Sequence, residues 1–402
     1  MTIAIHHVRV IDGMGHTIEP ATVVVRERRI AAVGLSRTVS IPRGATLING
    51  RGLTMLPGLI DCHVHFCLGA EPDVVKAIEE ETSTETLLKA ARLARQTLEA
   101  GVTTVRDVGS RDHSIFALKR AIDKGLTPGP RIMGAGLAIC MIGGHARFIG
   151  QEVQGPEQVR KAVQEQIEAG AEVIKLIASG GVLTPGTSPD EAQMTREELR
   201  TAVEEAARAG RKVAAHAHGA TGMKNAIEAG VHSIEHGTLM DPEAADLMQA
   251  HGVYMVPTLS ALATTAACRR GCGIPDSALE KAKAMIKHHE ASFRAAHRRR
   301  LLIAMGTDAG TPFNAHGDNA QELERMVAYA MSPMEAILAS TSAAARLLGI
   351  DDQKGTIARG KEADLLLVDG NPLRKIELLR DRSRIVGVMQ AGRFVSGPLS
   401  QD

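Results

Sequence analysis

Pro57-Gly58-Leu59-Ile60-Asp61-Cys62-His63-Val64-His65 is the stretch at which the chain changes its pattern. Upstream, residues 1–57 alternate apolar and polar positions in short pieces, as at Ile3 and Ile5, Val23 and Val25, and Ile30 and Val33, broken by Gly13, Gly34, Gly44 and Gly50. That predicts a small antiparallel sheet. From Gly58 onward, short apolar strands alternate with helical stretches, the pattern of parallel β/α units. Leu59 and Ile60 open the first of these as a buried strand. Because successive strand side chains alternate, His63 and His65 share one face at its C-terminal end. Two imidazoles side by side suit a metal ion, although an isolated His-x-His more often rests among polar neighbours in a loop. The rest of the chain has to decide between them.

Eight parallel strands are predicted, at 59–65, 103–107, 131–135, 173–176, 213–216, 233–236, 254–257 and 303–308. Amphipathic helices fall between them at 86–100, 156–169, 195–209 and 276–300, several closed by Gly as a C-cap. A last helical pair covers 334–348, and strand patterning returns at 364–368 and 385–389. The expected fold is therefore α/β: a (β/α)8 TIM barrel over residues 58–353, with a small β-sandwich domain built from residues 1–57 and 354–402.

Composition narrows the function. With 47 Lys and Arg against 46 Asp and Glu, the 402-residue chain carries a formal charge of +1, and aromatic residues make up 2% of it. Neither an electrostatic footprint for nucleic acid nor a base-stacking platform is present, so the expected partner is a small molecule, not nucleic acid or membrane. Five scattered cysteines make no disulfide framework, and Cys268 and Cys272 read as ordinary thiols on a loop. No signal-like or membrane-spanning run is present, so a cytoplasmic protein is expected. The basic residues Lys281, Lys283, Lys287, Arg294 and Arg298 to Arg300 read as a solvated helix face. Ser179-Gly180-Gly181 and the Pro-Gly-Thr-Ser-Pro of 185–189 form a long strand-to-helix loop that reads as an active-site lid.

Chemistry-bearing residues recur at the predicted strand ends: His63 and His65 on the first, Lys175 on the fourth, His216 on the fifth, His236 on the sixth and Asp308 on the eighth. Each alone has an ordinary structural explanation. Together they fall on one barrel rim, where such folds gather their catalytic groups. Four imidazoles and a carboxylate are donors that zinc or a similar divalent ion accepts.

In this order these residues resemble the amidohydrolase superfamily, in its branch with two metal ions bridged by a carboxylated lysine. The resemblance covers nearly the whole chain, including Lys354-Gly355-Thr356-Ile357-Ala358-Arg359-Gly360. It implies two divalent ions, zinc by expectation. His63, His65 and Asp308 would hold the buried one, His216 and His236 the second, and an N6-carboxylated Lys175 would bridge them. It further implies a metal-bridging hydroxide as nucleophile, with Asp308 moving its proton to the leaving group, and a homo-oligomeric assembly.

Gly101-Val102-Thr103-Thr104-Val105-Arg106-Asp107 and Ala304-Met305-Gly306-Thr307-Asp308 are similar to the branch of imidazolonepropionase-like proteins and of dipeptidases acting on Xaa-Pro or Xaa-Arg/Lys. That branch carries a Gly-Gly-His matched by Gly143-Gly144-His145, which implies that His145 binds the substrate carbonyl and stabilises its developing negative charge. The dipeptidases place Tyr two residues after the fifth-strand ligand to hold the substrate carboxylate; here His218 stands there, as a substrate-binding residue or the mark of another substrate. The expected reaction is cleavage of the amide bond of a dipeptide or N-acyl amino acid. The alternative keeps the metals and changes the bond to a carbamate, cyclic amide, lactone or aromatic xenobiotic amide. A deaminase is disfavoured by Gly219 where that chemistry places Glu, and a metal-free binding protein by the presence of all six ligand positions.

Overall fold

A computed structural model describes residues 1–400; of the expected β domain, 401 and 402 lie outside the described residues. The first strands are β1 (Thr2–Ile11), β2 (Thr17–Arg26), β3 (Arg29–Leu35), β4 (Thr46–Asn49) and β5 (Leu53–Pro57). Next come β6 (Leu59–Val64), β7 (Val102–Asp107), β8 (Arg131–Gly134), β9 (Ala138–Met141), β10 (Gly150–Val153) and β11 (Val173–Ile177). Then follow β12 (Lys212–Gly219), β13 (Ser233–Leu239), β14 (Tyr254–Val256), β15 (Leu365–Asp369), β16 (Ile385–Gln390) and β17 (Arg393–Ser396).

The two chain ends share one sheet. Its path runs β17-β16-β15-β5-β1-β2-β3, with β4 beside β1, so the pairing is one continuous eight-stranded ladder where a sandwich of two sheets was expected. Alternate residues of β1 and β2, among them Ile3, Ile5, Val23 and Val25, meet Met55, Leu365, Leu367 and Met389 in a core of their own. The seam is the antiparallel pairing of β5 with β15, from Leu365 opposite Pro57 to Asp369 opposite Leu53.

The middle of the chain is TIM-barrel-like. Parallel strands form a three-stranded sheet, β6-β7-β8, and a six-stranded one, β10-β9-β11-β12-β13-β14. No closed eight-stranded barrel sheet forms among the described residues: the eighth predicted strand, 303–308, is not a continuous strand, and β8 does not pair with the six-stranded sheet. The left-handed backbone of Asp308 (φ 59°) breaks its pleat. The segment still runs between its expected neighbours: the Cys62 amide donates to the Met305 carbonyl, the Asp308 amide to that of His63, and the Ala304 amide to that of Met255.

Helix boundaries follow capping chemistry that hydrophobic periodicity does not see. The helix predicted from 86 begins at Ser83, since Thr82 and Glu85 make a reciprocal capping box; Thr195 with Glu198 and Ser332 with Glu335 do the same for Arg196–Arg208 and Pro333–Ala339. The expected 334–348 pair divides into Pro333–Ala339 and Ser342–Leu348. Strands β9 and β10, on either side of Gly143-Gly144-His145, were not anticipated. Two further expectations fail. Cys268 and Cys272 are joined in a disulfide, the turn between Leu259–Ala267 and Asp276–Arg298 bringing their Cα atoms to 6.4 Å. Lys281 is not part of a solvated face: its Nζ donates to the carbonyls of Thr184 (2.9 Å) and Thr187 (2.6 Å) and so pins the 180–188 loop. No helix among the described residues is long and apolar enough to cross a membrane.

One buried carboxyl ties the site's far wall to the helix layer. Glu322 accepts from the amides of Leu259 (2.7 Å) and Ser260 (2.8 Å) and from the Ser260 hydroxyl (2.6 Å), capping the helix that follows Thr258. Burial outweighs these donors and raises its pKa from 4.5 to about 7. The proton is therefore held more tightly in the fold than in the unfolded chain. The stability this lends is complete below pH about 4.5 and is lost as the pH rises through about 7. Glu322→Gln should remove that dependence: the stability of the parent relative to the variant, from urea unfolding, should fall by on the order of 3 kcal/mol between these limits.

Candidate active site and metal centre

Every candidate site residue read from the sequence lines one cleft, whose floor carries His63, His65, Lys175, His216, His218, His236 and Asp308. The strands account for this convergence. His63 sits at the end of β6 with His65 just beyond it; Lys175 lies within β11, His216 and His218 on β12, and His236 on β13. Alternation turns the members of each His-x-His inward, with ring centroids 5.3 Å apart for His63 and His65 and 4.8 Å for His216 and His218. His145 reaches the same cleft from the turn between β9 and β10.

The donors fall into two groups, His63 with His65 and Asp308, and His216 with His218 and His236, the ligand atoms in each lying within 4.8 Å of one another. Hydrogen bonds fix which ring nitrogen is free. His63 Nδ1 donates to Glu235 (2.7 Å) and His65 Nδ1 to the Gly109 carbonyl (2.8 Å), so both Nε2 atoms turn toward Asp308 Oδ1, at 3.5 and 3.2 Å. Thr258 Oγ1 occupies Nδ1 of His236 at 2.7 Å, and Thr238 Oγ1 that of His218 at 2.7 Å. His216 instead donates from Nε2 to the Gly180 carbonyl at 3.1 Å, leaving Nδ1. A neutral imidazole oriented through its other nitrogen is the form that ligates metal. This donor chemistry fits two divalent ions.

Electrostatics agree. Burial holds His216, His218 and His236 well below the ordinary imidazole pKa, and lowers His63 to about 4 and His145 to about 3. Only His65 is raised: burial opposes protonation there, but Asp308 overrides it. Burial pushes Lys175 down to about 8, and its charge is felt by His63, His216, His236 and Asp308, members of both groups. Asp308 remains below its usual value despite burial, held there by His63, His65 and Lys175.

Sequence reading missed the layer beneath. Glu235 is fully buried, and burial alone would raise its pKa; Arg106 and His63 hold it well below the carboxylate range instead. Arg106 Nη2 lies 2.7 Å from Glu235, Nη1 donates to Ser233 (3.0 Å) and Nε to the Cys62 carbonyl (2.6 Å). A buried ion pair survives only when its remaining donors and acceptors are also satisfied, which these contacts achieve. The signal was Arg106 itself, a charged residue in the middle of a predicted parallel strand. His232, treated as structural, accepts the Val213 amide at 3.1 Å away from the cleft.

Strain marks the same place. His236 (φ 72°), Thr258 (φ 51°) and Asp308 (φ 59°) are non-glycine residues in the left-handed region, a conformation that persists where surrounding contacts over-determine it.

Comparison with known proteins agrees with this geometry. The family model described as "Amidohydrolase family" matches residues 54–395. Ochratoxinase of Aspergillus niger is 32% identical over 421 aligned positions, covering 96% of this chain and 85% of that protein. A crystal structure of a Xaa-Pro dipeptidase with bound methionine superposes with TM-score 0.93 at 36% identity, covering 99% of this chain and 100% of that one. A prolidase complexed with N-methylphosphonate-L-proline gives TM-score 0.91 at 32% identity, covering 98% and 99%. Imidazolonepropionase of Rubrobacter xylanophilus is 25% identical over 422 positions, covering 93% of this chain and 90% of that protein. The chain belongs to the amidohydrolase family and is a hydrolase acting on carbon–nitrogen bonds.

Proposed function

We propose that this chain cleaves the amide bond of a dipeptide or N-acyl amino acid, with residues 58–353 as the catalytic unit and residues 1–57 and 354–402 as the β domain. The observation that carries this reading is the pair of three-donor groups around one buried lysine at the base of a single cleft. His63, His65 and Asp308 would hold one ion, His216 and His236 the other, and Lys175, carboxylated on its amine, would bridge them. Zinc suits these donors. Bound there, the ions supply an acidified water and polarise the scissile carbonyl.

The side chains do the rest. Asp308 takes the proton of the attacking water and returns it to the departing nitrogen, a role for which its ionised form and its position beside His63 and His65 suit it. His145 is the donor to the developing oxyanion. If the Thr184 hydroxyl donates to its Nδ1 (2.9 Å), the proton sits on Nε2, and burial keeps the ring neutral. Gly181 makes room for it: a Cβ at this position would lie 2.3 Å from His145 Nε2. His218 is assigned to the substrate's carboxylate or acyl oxygen. Above this floor the walls are apolar, supplied by Leu68, Val108, Phe148, Ile149, Leu183 and Leu262 from several loops, and accept an apolar acyl or side-chain group.

One observation favours the second reading. Among the described residues no arginine lines the cleft and Lys175 is its single lysine, so no fixed cation waits for a C-terminal carboxylate. An uncharged carbamate, cyclic amide, lactone or aromatic amide fits those walls without one. Comparing kcat/KM for N-acyl amino acids with that for their methyl esters and for neutral amides separates the two; a preference for the free acid supports the dipeptidase reading, and a preference for neutral substrates replaces it.

Lys175→Ala, or exhaustive chelation, should abolish turnover, and zinc should restore the chelated parent but not the variant; retained activity in either case refutes the binuclear assignment. Gly181→Ala should lower kcat by about 10²- to 10³-fold, the usual cost of an oxyanion donor, with little change in melting temperature. His218→Phe should keep two metal ions per chain and raise KM; loss of an ion would make His218 a ligand instead.

A further inference from the structure

Resting on the binuclear reading, we infer that the segment 314–321, just downstream of Asp308, is a positioning clamp for the His63, His65 and Asp308 group. Asn314, His316 and Asn319 are nearly or fully buried, and none of the three lines the cleft. Asn314 and His316 nevertheless reach a member of that group directly, and Asn319 reaches one through Asp61. Asn314 Nδ2 donates to the carbonyls of Thr307 (2.8 Å) and Asp308 (2.9 Å), and its own Oδ1 is fixed by Gln321 Nε2 at 3.1 Å. That holds the left-handed turn at Asp308 from behind. His316 Nε2 donates to the His65 carbonyl at 3.0 Å while its ring stacks on Phe66 at 4.9 Å. Asn319 Nδ2 donates to Asp61 Oδ2 at 2.7 Å, and Asp61 Oδ1 receives the amides of His63 (3.0 Å) and Thr307 (3.1 Å).

Three side chains on one short segment thus fix the backbone of all three donors, which come from two distant parts of the sequence. Sub-ångström placement of ligands is what such outer contacts provide, and their loss typically costs 10- to 100-fold in metal affinity. The other group has no share in this segment: His236 and His218 are oriented by Thr258 and Thr238. The clamp therefore acts on one ion and not the other.

His316→Phe removes the donor and keeps the ring against Phe66; His316→Gln keeps a donor. Zinc titration against a chromophoric chelator should find two ions in the parent, with one weakened about 10- to 100-fold in His316→Phe, and most of that loss recovered in His316→Gln. kcat should fall with KM little changed. Asn319→Ala, acting through Asp61, should weaken the same ion. Two ions bound with parental affinity in His316→Phe and Asn319→Ala, both with native near-ultraviolet circular dichroism, would overturn the clamp. A parent that takes up no zinc sinks the binuclear reading instead; hydrogen exchange at the amides of His63, His65 and Asp308 then decides the clamp, faster exchange in His316→Phe supporting it and unchanged exchange overturning it.

Discussion

Desolvation is the constraint on which this molecule is built. Six imidazoles, an ammonium group and a carboxylate meet at the base of a cleft with apolar walls, where an uncompensated charge costs several kcal/mol. The fold meets that constraint in two ways. Most of the imidazoles are kept neutral by burial, which is also the state in which they bind metal. The charges that remain are enclosed in satisfied networks: Glu235 between Arg106, Ser233 and His63, and Asp61 among Thr307, Asn319 and the His63 amide. The polar layer under the cleft is thus a condition for placing ionisable groups in a parallel-strand core at all.

The networks also explain the departures from regular structure. A continuous eighth strand would project alternate side chains at fixed spacing, and Asp308 would follow the pleat. The left-handed Asp308 instead departs from the pleat and places its carboxylate beside Nε2 of His63 and His65. Opening of the sheet at this point and orientation of the carboxylate are one event.

What could be read from the sequence follows from which physical signals are periodic. Strands β6, β11 and β12 carry short apolar runs leading into His63, Lys175 and His216, and those runs pointed to both the element and the site residue. The metal-group donors were legible for the same reason. The supporting layer was not. Asn314, His316 and Asn319 follow no period and derive their meaning from partners up to 258 residues away. The capping box of Thr82 and Glu85 set a helix start that apolar spacing had placed at 86, and β9 and β10 are only four residues each, too short for alternation to declare them. Lys281, read as solvated, needed knowledge of which loop would pass beside its helix.

The pairing of β5 with β15 has a consequence for how the molecule is made. Between these neighbouring strands lies the whole TIM-barrel-like region, so the ladder that joins them closes a loop of roughly three hundred residues. During synthesis from the N-terminus, the edge of β5 stays open until almost the entire polypeptide has emerged, and an open strand edge is a template for pairing with another chain. Arrival of β15 seals that edge, so a strand from late in the chain guards against misassembly of the first ones.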